Sequence, residues 1–312
     1  MGTDEFTGSR TFALKRRWRT PCYNKLSKLD WVGGFGVISH GVRIGIRVSD
    51  ANLIPTLRDR LPGHAKPYAG DQFDSVMSAI LGGRQAGSRL RKYHLVYHNH
   101  SQIGRSHQLD EALDRFDAFF ALTVATLAPR RVFVHAGAVA WKGRAILIPG
   151  QSLAGKSTLV MELVRAGATY LSDEFAVLDG KGRVHPYPKP ISIRETPQSK
   201  QLDVPVESIG GIVGTQPVPL GLVVVTTHKE SAGWRPKPMS SGEGILALLS
   251  NCPAGRLAPE RVLRVLDCAA TAATFIKSTR GDAVDVAPLI LQRSTGSSRR
   301  SRPSHSLEHR AA

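Results

Sequence analysis

Eight residues, Gly150-Gln151-Ser152-Leu153-Ala154-Gly155-Lys156-Ser157, spell G-x-x-x-x-G-K-[ST], the pattern of a phosphate-binding loop, and Thr158 follows in the same nucleotide-binding stretch. Gly150 and Gly155 let the backbone turn tightly and aim its N–H groups at phosphate oxygens. Lys156 sets an ammonium against the β- and γ-phosphates of a nucleotide, and the Ser157 hydroxyl is a ligand for Mg2+. ATP and Mg2+ are therefore the expected cofactors. A helix beginning here would add its positive N-terminal dipole to the site.

Two further features fit phosphoryl transfer. Asp173-Glu174 follows Lys156 by 17 residues (173−156), room for one helix and one strand. One carboxylate of such a pair can hold Mg2+ through its waters, and the other can take a proton from an attacking hydroxyl. His135 precedes Lys156 by 21 residues (156−135). A lone histidine on an apolar strand is most often a core residue with a satisfied hydrogen bond. Beside the loop and the acidic pair it reads as a donor or an orienting group next to the γ-phosphate.

These residues need elements to position them. Residues 144–149 form a short apolar strand before the loop. Residues 157–166 follow it, with Leu159, Val160, Leu163 and Val164 at helical spacing and Gly167 as a stop. Residues 131–141 read as a strand, and Lys142-Gly143 as the turn of a hairpin into the loop. Residues 168–172 read as a short strand ending at the acidic pair. Placed beside the loop's own strand, it would carry Asp173 and Glu174 to the phosphate end of a sheet. Residues 198–219 read as loop and 220–226 as a buried strand. Residues 244–250 and 259–272 read as helices, 273–277 as a last strand and 285–291 as a last helix. Upstream, 31–128 reads as a small α+β module. It has strands in 35–48, a helix over 51–61 capped at Ser49-Asp50, a strand or hairpin over 92–103 and a helix over 109–127. The fold class is α/β, with domains at 31–128 and 129–292. Residues 1–30 are read as a basic flexible leader and 293–312 as a disordered Ser/Arg tail.

Together the histidine, the loop and the acidic pair resemble the HPr serine kinase/phosphorylase family. The resemblance covers about residues 131–180. It rests on His135-Ala-Gly, the hairpin into Gly150-x4-Gly155-Lys156-Ser157, the helix end Arg165-Ala-Gly167, and Leu171-Ser-Asp173-Glu174. It implies a P-loop kinase core like that family's C-terminal domain. By that likeness Glu174 accepts the proton, His135 assists, Lys156 binds phosphate, Ser157 binds Mg2+, and Asp173 supports the metal or its waters. The family pattern has Asp-Asp where this chain has Asp173-Glu174, so the reach of the base differs. Glu195 and Glu207 are the candidates for a downstream magnesium glutamate, and the sequence places no counterpart of a later catalytic arginine. The pattern is nearer a divergent HPr-kinase-related group. Some of its members sit with peptide-modification genes and phosphorylate serine on a peptide such as a lasso-peptide precursor.

Composition narrows the setting. The chain has 312 residues and a net charge of +17, much of it near the two ends, which favours anionic ligands. Its three cysteines include no C-x-x-C pair, which points to free thiols in a reducing cytoplasm rather than a disulfide framework. His98 and His100 form H-x-H, a spacing that strand alternation explains without zinc. No secretory signal and no membrane-length apolar run is present. The leading expectation is an ATP- and Mg2+-dependent serine kinase acting on a peptide or small protein, with no nucleic-acid partner. Homo-oligomers are common in the family it resembles. A small-molecule kinase using the same site and a non-catalytic nucleotide- or nucleic-acid-binding regulatory module are the alternatives. No N-K-x-D guanine-reading motif supports a GTPase switch.

Overall fold

The computed structural model describes Leu26 and residues 29–84, 91–150, 155–193 and 202–296. The basic stretch at 13–19, Cys22, residues 151–154, Glu195 and the tail from 297 lie outside them. The chain divides into two compact units, Met1–Val132 and Phe133–Ala312.

The first unit holds β1 (Gly33–Ser39), β2 (Val42–Val48), α1 (Leu53–Asp59), β3 (Lys66–Tyr68), β4 (Ser75–Ile80), β5 (Gly83–Arg84), β6 (Arg91–Lys92), β7 (His94–His98), β8 (Ser101–Ser106) and α2 (Leu109–Leu127). Six strands form a sheet in the order β3-β1-β2-β4-β7-β8, with only β2 and β4 parallel. α2 has the bounds its apolar periodicity predicts. Leu113, Phe116, Phe120 and Val124 are buried at spacings of three and four, and Asp110 and Glu111 face the helix dipole in the first turn. α1 is shorter than expected, because Asp50 Oδ1 accepts the Asn52 N–H at 2.9 Å and holds a turn ahead of the helix. His98 is half-buried and hydrogen-bonded: its Nε2 lies 2.9 Å from the Ser75 hydroxyl and 3.1 Å from that of Thr123. His100 sits in the turn after β7.

The second unit follows with β9 (Val132–Trp141), β10 (Arg144–Pro149), α3 (Lys156–Arg165), β11 (Thr169–Ser172), β12 (Phe175–Leu178), β13 (Arg183–His185), β14 (Ile191–Ile193), β15 (Leu202–Val204), β16 (Val218–His228), β17 (Lys237–Met239), α4 (Ser241–Leu249), α5 (Pro259–Ala270), β18 (Thr274–Arg280) and α6 (Ala283–Gly296). β9 and β10 form the expected hairpin, with Lys142 and Gly143 at φ 49° and 75°, the left-handed turn that suits strand twist. β10 pairs with β16 and β16 with β18, all parallel, so the carboxyl ends of these three strands share one edge of the sheet. Leu159, Val160, Leu163 and Val164 of α3 join Ile146, Leu222, Ile276 and Ile290 in one core, with α3 packed against α6.

Four expectations are corrected. The acidic pair does not sit beside the strand of the glycine loop: β11 and β12 neighbour β9, because the two edges of β10 are taken by β9 and β16. The stretch 198–219 is not all loop, since β15 pairs with β14 and a 3-10 turn spans Val206–Ile209. The last strand runs three residues further, to Arg280, held by its parallel register with β16. α6 begins at Ala283 and carries helix to Gly296, into the stretch read as tail.

Candidate active site

β10 delivers the chain to Pro149 and Gly150, and the Gly150 N–H donates to the His135 carbonyl at 3.4 Å. Gln151, Ser152, Leu153 and Ala154 lie outside the described residues. At Gly155 the backbone is left-handed, φ 72° and ψ 23°, as the N-cap of α3. A side chain there would be strained, and an added Cβ would also lie 2.6 Å from Arg280 Nη2. The first-turn N–H groups of α3 point out of this helix end, the arrangement that receives an anion. Ser157 and Thr158 follow in that first turn.

Lys156 is only 7% exposed. Burial pushes its ammonium pKa down, and the nearby Asp173 carboxylate pulls it back up. Asp173, 8% exposed, directly follows β11. Burial pushes its carboxyl up to about 6, against hydrogen bonds from the Ser157 side chain and the Ser192 amide and against the Lys156 charge. Its Oδ2 accepts the Ser192 N–H at 3.2 Å, while Oδ1 is buried without a well-formed hydrogen bond. A buried, under-satisfied carboxylate oxygen beside a serine hydroxyl suits a hard divalent cation. Mg2+ needs few protein ligands when phosphate oxygens and waters complete its octahedron. No cluster of three or more His, Cys, Asp or Glu side chains among the described residues would hold a metal without such help.

Glu174 follows directly. Its N–H and that of Phe175 both donate to Ser172 Oγ, at 3.3 and 3.1 Å, and its carbonyl accepts the Ala136 N–H at 3.3 Å. That turn fixes the backbone on which the carboxylate stands. Glu174 Oε2 then accepts from Lys189 Nζ at 2.5 Å. Lys189 is itself held, because the Tyr170 hydroxyl donates to its carbonyl at 2.7 Å.

His135 lies on β9 with its N–H donating to the Asn251 carbonyl at 2.7 Å and its ring 5.8 Å from that of Phe175. Burial, then the charge of Lys156, pushes its pKa down, while Glu174 and the Gly150 contact oppose this. The imidazole is therefore neutral near pH 7, able to donate from one nitrogen and accept at the other. Through these interactions His135, Lys156, Ser157, Asp173 and Glu174 form one electrostatic group. Of the two downstream acids considered, Glu207 is exposed on its 3-10 turn and Glu195 lies outside the described residues.

Sequence reasoning missed Arg280. At the carboxyl end of β18, its Nη2 donates to the Gly155 carbonyl at 2.7 Å across 125 residues of chain. It is 2% exposed. The available signal was slight: Ser278-Thr279-Arg280 is a polar run after apolar Phe275-Ile276, and only the pairing with β16 extends the strand to the site.

No family model and no curated protein matches the chain. Among solved structures, the HPr(Ser) kinase/phosphatase from Coxiella burnetii matches at 16% identity with a TM-score of 0.28, over 53% of this chain and 94% of that one.

Proposed function

We propose that the second unit is an ATP-dependent phosphotransferase that moves a γ-phosphate onto a serine hydroxyl of a peptide or small protein. The observation that carries this reading is the Asp173 carboxylate. It is buried just after β11, where the Ser157 side chain, the Lys156 charge and the adjacent Glu174 carboxylate all act on it. In this reading the acceptor oxygen forms a bond to the γ-phosphorus as the bond to the bridging oxygen breaks, and ADP leaves. The acceptor's proton passes to Glu174. Lys156 and the N–H groups of α3 stabilise charge on the transferring group. Neutral His135 orients it without adding a second positive charge beside Lys156. Ser157 and Asp173 would hold Mg2+, which when bound neutralises phosphate charge and orients the nucleotide. Glu174 and Lys189 have side chains about a third exposed, 33% and 36%, so a peptide side chain can reach them.

The test is transfer of label from γ-labelled ATP with Mg2+ into a peptide pool from the native host, comparing the wild type with Glu174→Gln. Label on a serine peptide with the wild type alone supports the reading and yields the substrate. ATP consumption without a labelled peptide replaces the peptide by a small-molecule acceptor. The absence of both nucleotide binding and turnover removes the kinase reading and leaves the non-catalytic alternative.

A further inference from the structure

Arg280 is a charge placed where burial penalises it most. Its guanidinium is almost wholly inside the protein, and among the described residues no carboxylate forms an ion pair with it within 4.0 Å. Asp282 acts on it only at longer range and has an 81% exposed side chain. Nη1 donates to the Gly281 carbonyl at 3.0 Å and Nη2 to the Gly155 carbonyl at 2.7 Å, whereas Nε is buried with no partner. A lone buried cation is costly unless a counter-charge accompanies it in the working state.

The contact with Gly155 shows where that counter-charge belongs. The same carbonyl accepts the Leu159 N–H at 3.2 Å, the first-turn bond of α3, so it points along the helix. Across a trans peptide the following N–H points the opposite way, and the chain has no cis bonds among the described residues. That N–H belongs to Lys156 and faces out of the helix end. A guanidinium fixed on the Gly155 carbonyl therefore fixes the direction of the Lys156 N–H. Lysine could not reproduce two forked contacts to Gly155 and Gly281.

We infer that Arg280 is a positioning residue for a polyphosphate ligand: it locks the Gly155–Lys156 peptide so that the Lys156 N–H faces phosphate, and the bound phosphate chain balances its buried charge. This rests on the nucleotide-site reading above, but not on the identity of the acceptor or on any transfer step.

The experiment measures binding rather than transfer, by titration calorimetry with MgADP and with inorganic tripolyphosphate, on wild type, Arg280→Met and Arg280→Lys. The expected result is 10- to 100-fold weaker binding of both ligands by Arg280→Met, the loss of one charge-assisted contact. Arg280→Lys should recover part of the affinity, because it restores charge without the fork. Equal losses for the two ligands mark an effect borne by phosphate, which a general loss of packing would not produce together with rescue by lysine. A folded Arg280→Met that binds both within twofold of wild type overturns the inference. If Arg280→Met does not fold, Arg280→Lys decides: wild-type affinity overturns the inference and a fivefold or greater loss supports it. A wild type that binds neither ligand overturns the nucleotide-site reading itself.

Discussion

Lys189 Nζ donates to Glu174 Oε2 at 2.5 Å, so the carboxylate proposed as base is held by an ammonium fifteen residues further along the chain. The pair is partly open to water, and such pairs contribute about 0–1 kcal/mol to stability. Its consequence is orientation: one oxygen is engaged and the other is left to meet an acceptor proton. Lys189→Ala should therefore cut transfer by roughly tenfold or more while the melting temperature changes little. Lys189→Arg, which keeps the pairing, should retain most activity. Steady-state kinetics beside a thermal melt would show both; a fully active Lys189→Ala would remove Lys189 from the mechanism.

Lys156 is buried with an ammonium pKa lowered by that burial, so in the unliganded protein its charge is held at a cost that a bound phosphate would offset. Lys156→Met keeps the length of the side chain and removes the charge. Turnover should fall by about 100-fold or more, as when one preorganised charge is lost from a transition-state site. The melting temperature without ligand should hold or rise. Unchanged turnover would take the glycine loop out of the reaction.

Asp173 supplies a pH-dependent prediction. Its carboxyl is pushed up to about 6 by burial, so the native state binds this proton more tightly than the unfolded chain does. Ionisation then costs stability, progressively as pH rises from about 4 through 6 and in full above that, on the order of 2–3 kcal/mol. Asp173→Asn should melt several degrees higher than wild type at pH 7.5, with the gap closing below about pH 4. Saturating MgATP should reverse the order, because ligand stabilises the protein that binds it. A pH-independent gap would show that Asp173 is not the group responsible.

The elements that flank the glycine loop were legible because their signals are local. The glycine loop, the stripe of Leu159, Val160, Leu163 and Val164, and the Lys142-Gly143 turn each lie within a dozen residues, and the structure has the hairpin and α3 there. Partners chosen across the sheet were not legible. Nothing in residues 168–178 says that β11 and β12 join β9 rather than β10, since edge choice depends on β16, some fifty residues later. β4 escaped notice because Ser75 and Ser78 break its apolar pattern, yet both are buried. Ser75 bonds to His98, and the Ser78 hydroxyl accepts from Arg47 Nε at 2.8 Å. Lys189 was invisible for the same reason as Arg280: its role comes from a contact made only in the fold.

The packing behind β18 gives a last prediction that separates fold from chemistry. α4 opens on a capping box in which Ser240 and Glu243 satisfy each other's backbone N–H groups. Its next turn carries Gly244, a residue that lowers helix propensity by about 1 kcal/mol against alanine. The structure explains the glycine: a Cβ there would land on the Phe275 ring, which is buried on β18 five residues before Arg280. Gly244→Ala gains propensity but must push α4 off the sheet or turn a packed ring. Overpacking of that kind costs about 1–3 kcal/mol, so the net effect should be a loss. The variant should melt a few degrees lower, while nucleotide affinity at a temperature where it is fully folded stays within twofold of wild type. A higher melting temperature would show that the helix can slide outward freely. A selective loss of nucleotide binding would show that the register of β18, and with it the placement of Arg280, depends on the contact between α4 and Phe275.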